Sequence, residues 1–104
     1  KNVRSFVKQI ERSIWNKEDI KQLVRCSGSI GANYIEANDN LGEKDFLMRI
    51  RICKKETKES IYWMRLLDIE NEILEIEKSI LINEATELRK IFGSIYKNKT
   101  GLNN

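Results

Sequence analysis

Residues 45–67 read DFLMRIRICKKETKESIYWMRLL, a stretch with no glycine or proline whose apolar side chains recur at helical spacing. At about 100° per residue, Phe46, Ile50, Cys53, Thr57, Ile61, Met64 and Leu67 fall on one side, the face expected to meet a bundle core. Roughly opposite lie Met48, Ile52, Trp63 and Leu66. A monomeric bundle needs one buried stripe per helix, so a second stripe with a tryptophan in it predicts self-association through those four residues. The rival reading is scattered surface apolar groups, which are common. A third stripe, Arg51, Lys54, Lys55, Lys58 and Arg65 with Tyr62 among them, runs between the two. Like charges so aligned repel, and few glutamates stand four residues before them to compensate.

The flanking sequence supplies three more helices. Asn38-Asp39-Asn40 is the most turn-like run, and Gly42 followed by Asp45 forms a weak cap for the third helix, which extends to about Leu67. Before it, Asn16 is placed to cap a second helix with Glu18 and Asp19 in its first turn. That helix carries Ile20, Leu23, Val24, Ser27, Ile30, Gly31, Tyr34 and Leu41 at spacings of three and four. A first helix is expected from about Asn2 to Ile14, with Val3, Phe6, Val7, Ile10 and Ile14 on one face. The chain opens on Lys1 with Val3 already in this pattern, as a trimmed N-terminus would leave it. A fourth helix runs from a cap at Asn71 to about Asn98, with Leu74, Leu81, Leu88, Ile91 and Ile95 inward. The short connections predict an all-α, antiparallel, up-down-up-down four-helix bundle over 1–98, followed by a flexible tail at 99–104.

Glycine inside a helix costs about 1 kcal/mol relative to alanine, so Ser27-Gly28-Ser29-Ile30-Gly31-Ala32 calls for an offset. Close approach of a neighbouring helix to the Ser27/Gly31 and Gly28/Ala32 ridges supplies one. A phosphate cradle is the competing account, but the run lies mid-helix and lacks a Gly-Lys-Ser/Thr.

With 104 residues, there is room for one domain. The chain has no histidine, which excludes Ser–His and Cys–His pairs and histidine metal sites. No apolar run approaches the roughly 18 residues of a membrane span, and no signal peptide is visible. Cys26 and Cys53 stand singly in apolar-periodic segments and read as buried thiols in a reducing compartment. Glu56 and Glu59, with Glu36 facing them, have the spacing of a dimetal carboxylate site but not its histidines. If they point inward, pairing with Arg25 or a lysine is the expected outcome. The sequence is therefore read as a cytoplasmic, non-enzymatic protein with no cofactor, no metal and no membrane contact.

The net charge of +3 conceals an asymmetry. Residues 68–87 hold seven acids and one base, for −6, and the remainder holds nine acids and eighteen bases, for +9. Polyanion binding by the basic part is the functional reading, and a solvated face balanced by the acidic fourth helix is the bland one. No zinc finger, RNA-recognition signature or helix-turn-helix accompanies the basic stripe.

The run Gln22-Leu23-Val24-Arg25-Cys26-Ser27-Gly28-Ser29-Ile30-Gly31-Ala32-Asn33-Tyr34-Ile35-Glu36-Ala37 resembles the Q-L-x-R-(A/S)-x-x-S-I-x-(A/S)-N-I-x-E-(A/G) signature of a bacterial family. That family of four-helix bundles was first recognised in intervening sequences of large-subunit ribosomal RNA genes. Asp45-Phe46, the run from Lys54 to Met64, and Glu84-Ala85-Thr86-Glu87-Leu88 with Ile91-Phe92 and Ile95 extend the likeness over about Val3 to Lys97. It implies a ring-shaped homopentamer and no catalytic residues. Relatives include the accessory variability determinant of diversity-generating retroelements, a basic pentamer that binds nucleic acid and a reverse transcriptase. Arg25, Asn33, Glu36, Glu56 and Glu59 match signature polar positions and read as structural or interface groups. Cys26, Gly28 and Tyr34 depart from the usual residues, and the acidic fourth helix makes this chain less basic than the retroelement proteins.

Two functional expectations follow. One is contact with RNA or DNA phosphates, without sequence readout, through Arg51, Lys54, Lys55, Lys58 and Arg65 with Lys21 and Arg25. The other is a protein-interaction scaffold serving a polymerase such as a reverse transcriptase.

Overall fold

The computed structural model describes residues 3–10 and 14–101. Four helices account for it, with no strand among the described residues: α1 (Val3–Lys8), α2 (Ile14–Asn38), α3 (Glu43–Leu66) and α4 (Glu72–Thr100). The long helices run antiparallel. As positions rise along α2 their partners descend through α3: Asn16 meets Asp68, Arg25 meets Glu59, and Asn33 meets Arg49.

Local chemistry sets the boundaries. Gly42 has φ 137°, a region that disfavours a Cβ, and its N–H donates to Asn40 Oδ1 while Leu41 N–H donates to Asp45 Oδ2. The expected cap at Asn71 forms, its Oδ1 accepting from Leu74 N–H at 3.0 Å. At the far end α4 continues two residues past the expected Asn98, because Gly101 adopts the left-handed conformation (φ 72°) and closes the last turn onto the Lys97 carbonyl. Of the expected tail, 102–104 lie outside the described residues.

Asn16 differs from its expected role. α2 already begins at Ile14, which places Asn16 inside the first turn, 2% exposed. Its amide donates to the Asp68 carbonyl and accepts from the Asp68 N–H, both at 2.8 Å. The residue with cap chemistry thus clamps the α3–α4 connection to the start of α2. The first helix also stops earlier than expected, at Lys8. Gln9 and Ile10 close a turn onto Phe6 and Val7, and the next residues, 11–13, are outside the described set.

α3 packs on both α2 and α4, whereas α2 and α4 approach no closer than 8 Å between Cα atoms. α1 lies between them at one end only, where Phe6, Val7 and Ile10 join Ile20, Leu23, Ile61, Met64, Leu67, Leu74 and Leu81 in the larger core cluster. A smaller cluster of Ala37, Ile50, Cys53 and Phe92 serves the opposite end. Between α2 and α4, beyond α1, an apolar slot stays open as two adjoining hollows of about 380 and 360 Å³ that share Ile30, Gly31 and Leu88. Tyr34 reaches across its far end to Phe92, with ring centroids 6.1 Å apart.

This slot corrects the close-packing reading of the glycines. A Cβ added at Gly28 or Gly31 would meet nothing within 4 Å. The inward faces rotate accordingly. On α2, Cys26 and Ala37 are fully buried and Tyr34 is exposed, while Leu41, expected on this helix, lies beyond its end and is exposed. On α4, Phe92 is buried and Ile91 is half out in solvent.

Replacing Asn16 with alanine removes both bonds to the Asp68 backbone. A loss of about 2 kcal/mol in unfolding free energy is expected, read from urea denaturation with an unchanged m-value.

Candidate nucleic-acid interface

The antiparallel register brings Arg51, Lys54, Lys55 and Lys58 of α3 against Arg89 and Tyr96 of α4, around an open hollow of about 680 Å³. Ile52 contributes an apolar patch to the same wall. Among the described residues, none of the five cations has a carboxylate within 4.0 Å. The Lys54 side chain lies along α4 at Gly93, where an added Cβ would meet its Cε at 3.9 Å in ordinary van der Waals contact. Lys99 lies 5.6 Å above the Phe46 ring, tying the end of α4 to the start of α3.

Sequence reasoning missed Arg89 and Tyr96. Their spacing around Gly93 is the available signal, but convergence with the lysines becomes visible only once α3 and α4 are in register. Arg65 is exposed on α3 about two turns past Lys58, outside the hollow. Lys21 lies elsewhere, in a second hollow between α1 and α2.

Arg25 is engaged in the α2–α3 seam. Its Nη1 donates to Glu56 Oε2 at 3.1 Å, and its Nη2 donates to Glu59 Oε1 at 3.3 Å and to Cys26 Sγ at 3.1 Å. The Glu56 side chain is only 7% exposed and finds its cationic partner here, whereas Lys90 and Glu87 are each 69% exposed and contribute little by pairing. Of the three glutamates weighed as metal ligands, Glu56 and Glu59 meet, and Glu36 is exposed farther along α2. Cys26, Glu56 and Glu59 bring ligand atoms within 4.8 Å of one another, but the guanidinium already supplies a cation to that donor set. Burial pushes the Cys26 thiol up, opposed by Arg25 and reinforced by the two carboxylates. The Cys53 thiol is raised by burial alone. Both cysteines are buried and unpaired with each other, and their burial follows from their placement in apolar segments.

The four residues expected on an outer apolar face separate into three environments. Met48 and Leu66 are about half exposed. Ile52 lines the basic hollow, and Trp63 is partly buried against the larger core cluster, edge-on to Tyr62 at 5.0 Å. A further apolar row missed in the sequence, Ile73, Ile76 and Ile80, is exposed along the acidic half of α4. No helix among the described residues is long and apolar enough to cross a membrane.

The model of the 23S rRNA-intervening sequence protein family matches residues 2–94, nearly the whole chain. Neither a curated protein nor a solved structure matches it. The chain belongs to the 23S rRNA-intervening sequence protein family, and this membership agrees with a non-enzymatic protein.

Truncating Arg25 to alanine strands the buried Glu56 carboxylate. A lower thermal unfolding midpoint is expected. The Arg25→Ala/Glu56→Ala pair should lose less than the sum of the two single variants in a double-mutant cycle read by thermal unfolding.

Proposed function

We propose that this member of the 23S rRNA-intervening sequence protein family binds RNA or DNA in the cytoplasm, through phosphate contacts in the α3–α4 hollow. The observation that carries the reading is the convergence of five cations, from two helices, on one concave surface, with no carboxylate within 4.0 Å of them among the described residues. Fixed like charges held apart by a packed helix pair repel one another, and a polyanion relieves that repulsion while releasing its counterions. The cations lie on helix flanks with no element shaped to enter a groove and read base edges, so affinity without sequence discrimination follows. Tyr96, beside Arg89, offers a ring on which an unpaired base could stack.

Self-assembly belongs to the same proposal. Met48 and Leu66 on α3, with Ile73, Ile76 and Ile80 on α4, leave more apolar surface exposed than one bundle covers. A homopentamer is the state the family resemblance favours. The alternative, a scaffold docking a reverse transcriptase, would use these apolar rows and bind with little response to salt.

Fluorescence anisotropy with a labelled 23S rRNA stem-loop tests the first part. Raising salt from about 50 to 200 mM should weaken binding by about two orders of magnitude, and Lys54→Glu/Lys58→Glu/Arg89→Glu should abolish it. Affinity that is unmeasurable at the lower salt, or unchanged in the triple variant, refutes the reading.

For assembly, Met48→Glu/Leu66→Glu is expected to lower the sedimentation-equilibrium mass of the protein while its helical circular dichroism stays intact. A mass that does not change, or a wild-type protein that is already monomeric, counts against a self-contact at these residues.

A further inference from the structure

The hollow between α1 and α2 repeats the chemistry of the first on a different side of the bundle. It encloses about 740 Å³, with Arg4 and Lys8 on α1 facing Lys17 and Lys21 on α2, each pair four residues apart and so on one helix face. Val7, Ile20 and Val24 form its apolar floor. Among the described residues Glu18 is the single acid in the wall, and its carboxylate already accepts from Gln22 Nε2 at 2.7 Å. Lys8, Lys17 and Lys21 have no carboxylate within 4.0 Å among the described residues.

We infer that this α1–α2 hollow is a second polyanion contact, so that one bundle joins two separate nucleic-acid segments. The inference rests on the proposed function of the α3–α4 hollow and extends it. What separates the two surfaces is unsuited to a continuous phosphate path. On one side the α2–α3 seam carries Glu56 and Glu59, already paired with Arg25. On the other, the first half of α4 belongs to the segment of charge −6. A single duplex does not fold round the bundle to reach both hollows either. The protein measures 24 × 19 Å in cross-section, and duplex DNA stays straight over about 150 base pairs. Each hollow therefore takes its own strand or duplex, and the protein bridges them.

A capture experiment decides the matter. An immobilised 20-base-pair RNA duplex is mixed with a second, fluorescent 20-base-pair duplex and protein at about 50 mM salt. Wild-type protein is expected to retain the fluorescent duplex. Lys8→Glu/Lys17→Glu, two exposed positions outside the α3–α4 hollow, should bind a single duplex within about threefold of wild type yet lose capture at least tenfold. Lys8→Gln/Lys17→Gln should fall between, and circular dichroism confirms that both variants fold. Single-duplex binding by wild type without capture overturns the inference and leaves the proposed function standing, whereas absence of any duplex binding removes both. Undiminished capture by the glutamate variant assigns bridging to the α3–α4 hollows of assembled copies and overturns it. A fall in sedimenting mass for that variant, measured without RNA, makes the surface a contact between copies and overturns it as well.

Discussion

α3 has neighbours on two sides and solvent on a third, and that division of one helix's circumference governs the rest of the molecule. Ile50, Cys53, Thr57, Ile61 and Met64 turn inward because α2 and α4 both need an apolar partner and do not reach each other's backbones. The same turn sends Glu56 and Glu59 toward α2, where Arg25 is waiting, and Arg51, Lys54, Lys55 and Lys58 toward α4. A rotation of α3 by one residue, about 100°, would bury lysines and expose the core methionine. Charge segregation therefore depends on the packing of this helix as much as on composition.

That segregation explains how a chain of charge +3 presents strongly cationic surfaces. Its acids are used in two ways. Glu56 and Glu59 neutralise a seam, and the acids of 68–87 collect along the early part of α4, so among the described residues the lysines of the two hollows have no carboxylate within 4.0 Å. Lys78 shows the opposite treatment of a cation. It is nearly buried, donates to the Leu67 carbonyl at 3.2 Å and lies 3.6 Å from Glu75, so its charge stabilises the α3–α4 corner and is withheld from solvent.

Long, densely patterned α3 was readable almost residue by residue, since large apolar groups at a regular period leave one orientation. The Asn71 cap and the Arg25 pairing with Glu56 and Glu59 were readable too, because each rests on local chemistry or on one demanding charge. α2 was harder. Its buried positions include the small residues Cys26 and Ala37, whose weak hydrophobic signal was outvoted by Tyr34 and Leu41. On α4 a heptad-like leucine spacing favoured Ile91 over its neighbour Phe92, although the ring fills more of the space beside Cys53. Asn16 illustrates a deeper limit: capping and long-range clamping ask for the same amide, and only the fold selects between them. The basic site was half legible, in its α3 residues, because Arg89 and Tyr96 enter it from another helix.

The open slot beyond α1 has a mechanical consequence. Where α1 is present, ten buried side chains from the four helices and the residues just after α1 and α3 knit together, whereas the opposite end rests on four from three helices. Burial of that kind sets how often backbone amides open to solvent, so the molecule is a graded rod, stiff at the α1 end and yielding toward the α2–α3 turn. Lys99 and Phe46 sit in the yielding part and the Asn16 clamp in the stiff one. From the described residues, local opening is expected first at the Tyr34–Phe92 end and last beside the Asn16 clamp.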